Sequence, residues 1–158
     1  MDHVQSLVSV SQLAARYAQC IDNDELEEWP NFFADECLYT ITSRENHQAG
    51  RDMGVIYCDS KGMLQDRILG LRKANIYERQ HYRHVLSVPA QLEVFPDGSI
   101  KARTAFAVYR IMRDGKTSVF ATGEYHDTFC RTEDRLLISE RIVVCDSSLF
   151  DTLLAIPL

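Results

Sequence analysis

The sequence is poor in the short motifs that usually announce chemistry. It holds no G-x-G-x-x-G and no G-x-x-x-x-G-K, so the glycine-rich loops that cradle a nucleotide phosphate are missing. The G-x-S-x-G turn of hydrolases is missing too. Five cysteines (Cys20, Cys37, Cys58, Cys130 and Cys145) are scattered without a C-x-x-C, which removes the usual zinc and redox spacings. There is no basic run. With a net charge of −6 and a pI of about 5.3, nothing draws the chain to nucleic acid or to an anionic membrane. No stretch approaches the roughly 18 apolar residues of a membrane span. The opening MDHVQSLVSVSQLAARYAQC lacks a basic start followed by a long apolar run, so it reads as an amphipathic helix and not as a secretory signal. These absences predict a reducing, cytoplasmic setting in which the thiols are reduced and buried. Proline and glycine are also sparse, 4 and 7 residues, and dispersed. Neither a linker nor a low-complexity segment is visible, and no internal repeat.

What remains is ordinary globular composition: 158 residues, 46% hydrophobic and 25% charged. That predicts one domain spanning 1–158 with a real core. Val10, Leu13, Ala14, Tyr17 and Ile21 recur at helical spacing. Asn23 or Asp24 then offers a cap for a second helix carrying Leu26, Trp29, Phe32 and Phe33, although Pro30 would strain its interior. CLYTITSR reads as a strand, RENHQAG as a polar loop and MGVIYCD as a short strand. Ser60 opens a further helix, on which Leu64, Ile68 and Leu71 align. From about His81 the period becomes two. Four long strand segments follow, separated by PDGS, RDGK and TEDR, which are turn sequences. Pro89 predicts an edge or a bulge in the first of these strands. Helices first and strands last mean an α+β fold, with helices packed on one face of a curved, mainly antiparallel sheet.

The five histidines (His3, His47, His81, His84 and His126) do not form a recognisable ligand set. None has a cysteine two or three positions before it, so the spacing of a Rieske cluster is absent. His81 and His84 are three apart on a predicted strand, which sends them to opposite faces. Glu78 and His81 make a single E-x-x-H, where helical di-iron sites need two such elements. These residues predict no metal site in this chain. One enzymatic arrangement is conceivable: Asp22 on the early helix, with Tyr17, packed against strands bearing His84 and Tyr39, to do general acid–base work. The alternative is that Asp22 closes a helix and His84 is a hydrogen-bonded strand residue. Charged neighbours such as Asp66-Arg67, Glu78-Arg79, Arg83 and Glu140-Arg141 fit either a solvated surface or an ion-pair network at a subunit contact.

The closing SSLFDTLLAIPL is unusually apolar. Leu149, Phe150, Leu153, Leu154, Ile156 and Leu158 are candidates for a subunit interface, because so much apolar surface must be held by the same chain or by a neighbour.

Four segments carry a family resemblance. YAQCIDNDELEEWPNFFADECLYTIT, MLQDRILGLRKANIYERQHYRHVLSVP and the pair FATGEYHDTF and LLISERIVVCDSSLFDTLLAIPL together resemble the small (beta) subunits of aromatic-ring-hydroxylating dioxygenases, over nearly the whole chain and in the same order. The resemblance implies the cone-like α+β fold shared with nuclear transport factor 2 and scytalone dehydratase. It implies a hexamer of three large (alpha) and three small (beta) subunits. The large subunit would carry the Rieske [2Fe–2S] cluster, the mononuclear non-haem iron and the substrate pocket, and a separate reductase would deliver electrons from NAD(P)H. The implied reaction is cis-dihydroxylation of an aromatic carboxylate such as terephthalate or anthranilate. The small subunit of this family supplies no iron ligand, so no catalytic, cofactor-binding or metal-binding residue transfers to this chain. The rival reading is a stand-alone cone-fold dehydratase or isomerase that uses Asp22 and His84.

Overall fold

The structure is a computed structural model, and it describes residues 2–51, 54–74, 79–148, 154 and 156–158. Helix α1 (His3–Asp22) begins with a capping box in which Asp2 and Gln5 satisfy each other's backbone N–H groups. Its apolar stripe, Val10, Leu13, Ala14, Tyr17 and Ile21, is buried as the spacing predicts. The second helix expected after it does not form. The chain turns at Asp24, which adopts φ 59°, and makes only a short 3-10 helix at Trp29–Phe32. Pro30 has no N–H to donate back to Leu26, and its ring would strike that carbonyl in an α-helix. Leu26, Trp29 and Phe33 are nevertheless fully buried, so the segment is anchored by side chains instead of by helical hydrogen bonds.

Strand β1 (Phe33–Ser43) starts earlier than the sequence suggests, through a bulge between Phe33 and Leu38. The polar segment expected as a loop forms helix α2 (Arg44–Gln48), because Ser43 Oγ accepts the Asn46 N–H at 3.2 Å and caps it. Strand β2 (Ile56–Cys58) and helix α3 (Lys61–Ala74) follow as expected. Ser60 Oγ accepts from the Met63 N–H, and Leu64 and Ile68 are buried.

The sheet is completed by β3 (Gln80–Leu86), β4 (Gln91–Val94), β5 (Ile100–Met112), β6 (Thr117–Arg131) and β7 (Leu136–Cys145). Pro89 lies in the break between β3 and β4, and both of those strands pair antiparallel with β5. The order is β2-β1-β7-β6-β5-β3, antiparallel throughout except for the parallel pair β1–β7. Gly98 and Gly115 turn the hairpins with φ of 85° and 86°, a conformation that a Cβ would penalise. Along β6, Ala121, Tyr125, Asp127 and Phe129 point inward and alternate with partly exposed residues. That inner face, with α1 and α3 laid against it, encloses the core. The sheet and its helical cover thus make a cone whose interior is lined by side chains from nearly every element.

Candidate functional site: the interior of the cone

Two groups that the sequence singled out do meet inside the cone. Asp22, the last residue of α1, accepts a hydrogen bond from the His84 backbone N–H through Oδ2 at 2.9 Å. Its Oδ1 lies 2.6 Å from His84 Nδ1. Both side chains are buried, and the Arg83 guanidinium stands 3.9 Å from Oδ2 on the exposed side. The carboxylate therefore fastens the end of α1 to β3 at two points. His84 Nε2 has no hydrogen-bond partner among the described residues. His81, on the same strand, is exposed, so the two histidines face opposite ways as their odd spacing requires.

Tyr17 and Tyr39 also reach the interior, and both are engaged by the tail. Their hydroxyls donate to the main-chain oxygen of Leu158 at 2.8 and 2.9 Å, and the Leu158 N–H donates to Tyr39 Oη at 3.0 Å. Arg67 on α3 donates to the Leu154 carbonyl at 3.0 Å. Leu154, Ile156 and Leu158 are buried against the chain's own core. Of the other interface candidates, Leu149, Phe150 and Leu153 lie outside the described residues, as does Glu78.

Sequence reasoning missed the strongest electrostatic feature. Arg141 and Asp127 form a two-pronged ion pair, Nε–Oδ1 and Nη2–Oδ2 both at 2.7 Å. Their side chains are only 0% and 1% exposed, so Arg141 belongs neither to a solvated surface nor to an interface network. The guanidinium is stacked between the rings of Tyr17 and Tyr125, at 4.2 and 4.0 Å from their centroids. Burial opposes its charge, but the carboxylate of Asp127 outweighs burial and holds the Arg141 pKa above its ordinary value. Desolvation pushes the hydroxyl pKa of Tyr17 up, partly offset by Arg141, and pushes those of Tyr39 and Tyr125 up strongly. The three tyrosines stay protonated throughout the physiological range, and Tyr17 and Tyr39 are the ones that donate to the Leu158 oxygen. A signal was available: Asp127 and Arg141 sit at strand positions of the same parity as Tyr125, Phe129 and Val143, where a charge is buried and needs a partner.

The outer face of the sheet carries a second cluster. His47 and His126 meet edge to face, with ring centroids 4.8 Å apart, beside a cleft of about 480 Å³ that Lys101, Arg103 and Glu140 also line. On β3, β5 and β6, the large side chains of Val85, Tyr109 and Val119 are exposed, with Tyr109 and Val119 directly paired. Among the described residues, no three His, Cys, Asp or Glu side chains converge as a metal would require. The donors present among the described residues do not fit iron or an iron–sulfur cluster. No helix among the described residues is long and apolar enough to cross a membrane.

The interior of the cone is thus filled by the chain's own tail and by the Asp127–Arg141 ion pair. The chain belongs to the ring hydroxylating beta subunit family, which it matches over residues 16–152. It is 46% identical to subunit beta 2 of the terminal oxygenase component of terephthalate 1,2-dioxygenase from Comamonas sp., over 96% of this chain and 97% of that one. It is 36% identical to the anthranilate 1,2-dioxygenase small subunit of Burkholderia cepacia, over 99% and 97%. A crystal structure from Novosphingobium aromaticivorans, assigned as the beta subunit of an aromatic-ring-hydroxylating dioxygenase, superimposes with a TM-score of 0.90 at 34% identity, covering 99% of this chain and 100% of that one. More distant structures under 25% identity share the cone-like fold alone. As the beta subunit of a terminal oxygenase, the chain has a large alpha subunit as its partner.

Proposed function

We propose that this chain is the non-catalytic, structural beta subunit of a Rieske non-haem iron oxygenase that cis-dihydroxylates an aromatic carboxylate, with terephthalate as the leading substrate. The observation that carries the reading is the near full-length likeness to beta subunits of terephthalate dioxygenase. On this reading the complex is a cytoplasmic alpha3beta3 hexamer. The alpha subunit holds the [2Fe–2S] cluster, the mononuclear iron and the substrate pocket, and a separate reductase delivers electrons from NAD(P)H. The beta chain works as one domain, 1–158, that braces neighbouring alpha subunits. The tail residues Leu149, Phe150, Leu153, Leu154, Ile156 and Leu158 are its candidates for that contact. The exposed Val85, Tyr109 and Val119 offer further apolar surface to a partner.

A stand-alone dehydratase or isomerase built on Asp22 and His84 has one observation in its favour, the short contact between them. Against it, Asp22 is occupied at both oxygens by His84 itself. One experiment separates the readings. The chain is purified with its alpha subunit, and the intact complex is quantified by mass and iron content. Product formation is then measured with reductase and NAD(P)H for Asp22→Ala and His84→Ala. Lower yield with normal turnover per complex is expected, because a lost structural hydrogen bond costs roughly 1–3 kcal/mol of stability. A general acid or base would instead cost about 10²- to 10⁴-fold in rate. A hundredfold fall in complexes of normal size and iron content, or activity of the beta chain alone, would overturn the proposal.

A further inference from the structure

We propose that beta chains associate with one another head to tail. The outer face of β3, β5 and β6 on one copy receives the acidic ridge between the end of α1 and the start of β1 on the next. The face is basic although the chain as a whole carries a charge of −6. Arg79 and Arg113 stand one position beyond the paired Gln80 and Met112, and both line a cleft of about 500 Å³. Two like charges on one cleft repel each other unless an anion covers them. No carboxylate pairs with either arginine, or with Lys116 in the adjoining turn, among the described residues. Two acids nearby are already engaged. Asp24, on the same cleft, holds Arg72 with both oxygens at 3.0 Å, and Asp114 accepts the Lys116 N–H. Beside the cations the face turns apolar: Tyr109 and Val119 are directly paired and exposed, and Val85 is exposed on β3. Arginine and tyrosine around an apolar centre make up a protein contact better than a solvated face.

The complementary surface is on the same chain. Asp24, Glu25, Glu27 and Glu28 are exposed, and the exposed Glu36 follows on β1. Asp24 and Glu27 clamp Arg72. Glu25, Glu28 and Glu36 have no cationic partner among the described residues. The field of this ridge reaches the core, where burial and then the carboxylates of Glu25, Glu28 and Glu27 push the Cys20 thiol up to about 11. Because Asp24 lines the basic cleft, ridge and face adjoin at one corner of the molecule. A contact between two different surfaces is heterologous, and it closes into a ring when the rotation permits. Complementary surfaces that share a corner suit a small ring, with the corner at its axis. The contact joins beta to beta, is additional to any with the alpha subunit, and does not depend on the reaction proposed above.

The test uses the full-length beta chain without its partner, its mass followed by sedimentation against concentration. The parent is expected to form a closed oligomer. Its dissociation constant should rise about tenfold or more between about 0.05 and 0.5 M salt, as screening shortens the reach of the charges. Reversing the face (Arg79→Glu with Arg113→Glu) or the ridge (Glu25→Arg with Glu28→Arg) should weaken association at least about a hundredfold, because like charges then meet. All four changes in one chain should restore association to within about tenfold of the parent, since the charges are exchanged and not lost. The four side chains are exposed, so the urea midpoint read by Trp29, the chain's one tryptophan, should stay near the parent's. Val119→Asp puts an acid in the apolar centre of the face and should disrupt association independently. If a reversed chain does not fold, Val119→Asp and the salt series decide. A parent that stays monomeric up to about 1 mM would overturn the proposal and leave the face to the alpha subunit. Oligomers indifferent to the reversals and to Val119→Asp would overturn it as well. So would a folded fourfold variant that fails to regain the association lost by each reversal.

Discussion

Replacing Asp127 by asparagine tests whether the buried ion pair anchors the cone. The substitution is isosteric, so it opens no cavity, but it removes the charge that compensates Arg141. The guanidinium cannot escape to water, because its side chain is 0% exposed and held between two tyrosine rings. Cation–π contacts contribute about 0.5–2 kcal/mol each, too little to replace a carboxylate bonded at two points. Breaking one side of a buried pair costs about 3–5 kcal/mol. That is a large share of the roughly 5–15 kcal/mol that stabilises a typical domain. At about 2–4 °C per kcal/mol for a chain of this size, the melting temperature should fall by about 6–20 °C. Urea denaturation followed by Trp29 fluorescence measures the loss. The double replacement Asp127→Leu with Arg141→Met should return stability to within about 1 kcal/mol of the parent, because an apolar pair needs no compensation. A single substitution costing under about 1 kcal/mol, or a double one as damaging as the single, would refute the reasoning.

Three further outcomes follow from local geometry. A Cβ at Gly123 would lie 2.0 Å from the Val144 carbonyl oxygen across the β6–β7 ladder, so Gly123→Ala should cost at least about 3 kcal/mol, the upper range of overpacking; a urea midpoint close to the parent's would contradict this. Burial holds the thiol pKa values of Cys20 and Cys37 at about 11 and that of Cys145 at about 12, so a thiol reagent at neutral pH should label the partly exposed Cys130 first in the native chain. Equal labelling of Cys145 would show that the core opens readily. Burial, then Arg103 and His47, lower the His126 pKa below 6.5, against the opposite pull of Glu124 and Asp127. A histidine depressed in the folded state stabilises fully above its unfolded pKa, and that contribution is lost as pH falls through the folded value. His126→Gln should therefore flatten the fall of stability below about pH 6.5, and an unchanged profile would assign that fall to other groups.

Much of the architecture was written in local periodicity. The stripe on α1, the cap at Ser60, the Asp-Gly turns and the period-two strands all behave as their residues demand, because each depends on neighbours a few positions away. The exceptions have equally local causes. Pro30 denies an α-helix to the segment around Trp29, and Ser43 caps a helix where polarity alone suggested a loop.

The sequence by itself determined the α+β order of elements, the divergence of His81 and His84, and the likeness to beta subunits. Those properties are carried by spacing along the chain and by extended runs of residues. Tertiary structure alone decided which distant groups meet. It joined Asp22 to His84, brought Arg141 to Asp127 across β7 and β6, and seated Leu158 under the hydroxyls of Tyr17 and Tyr39. No periodicity encodes a contact between residues 119 or 141 positions apart. The curvature of the sheet creates it by turning the inner faces of β1, β6 and β7 toward one interior, where a buried charge such as Arg141 needs a partner.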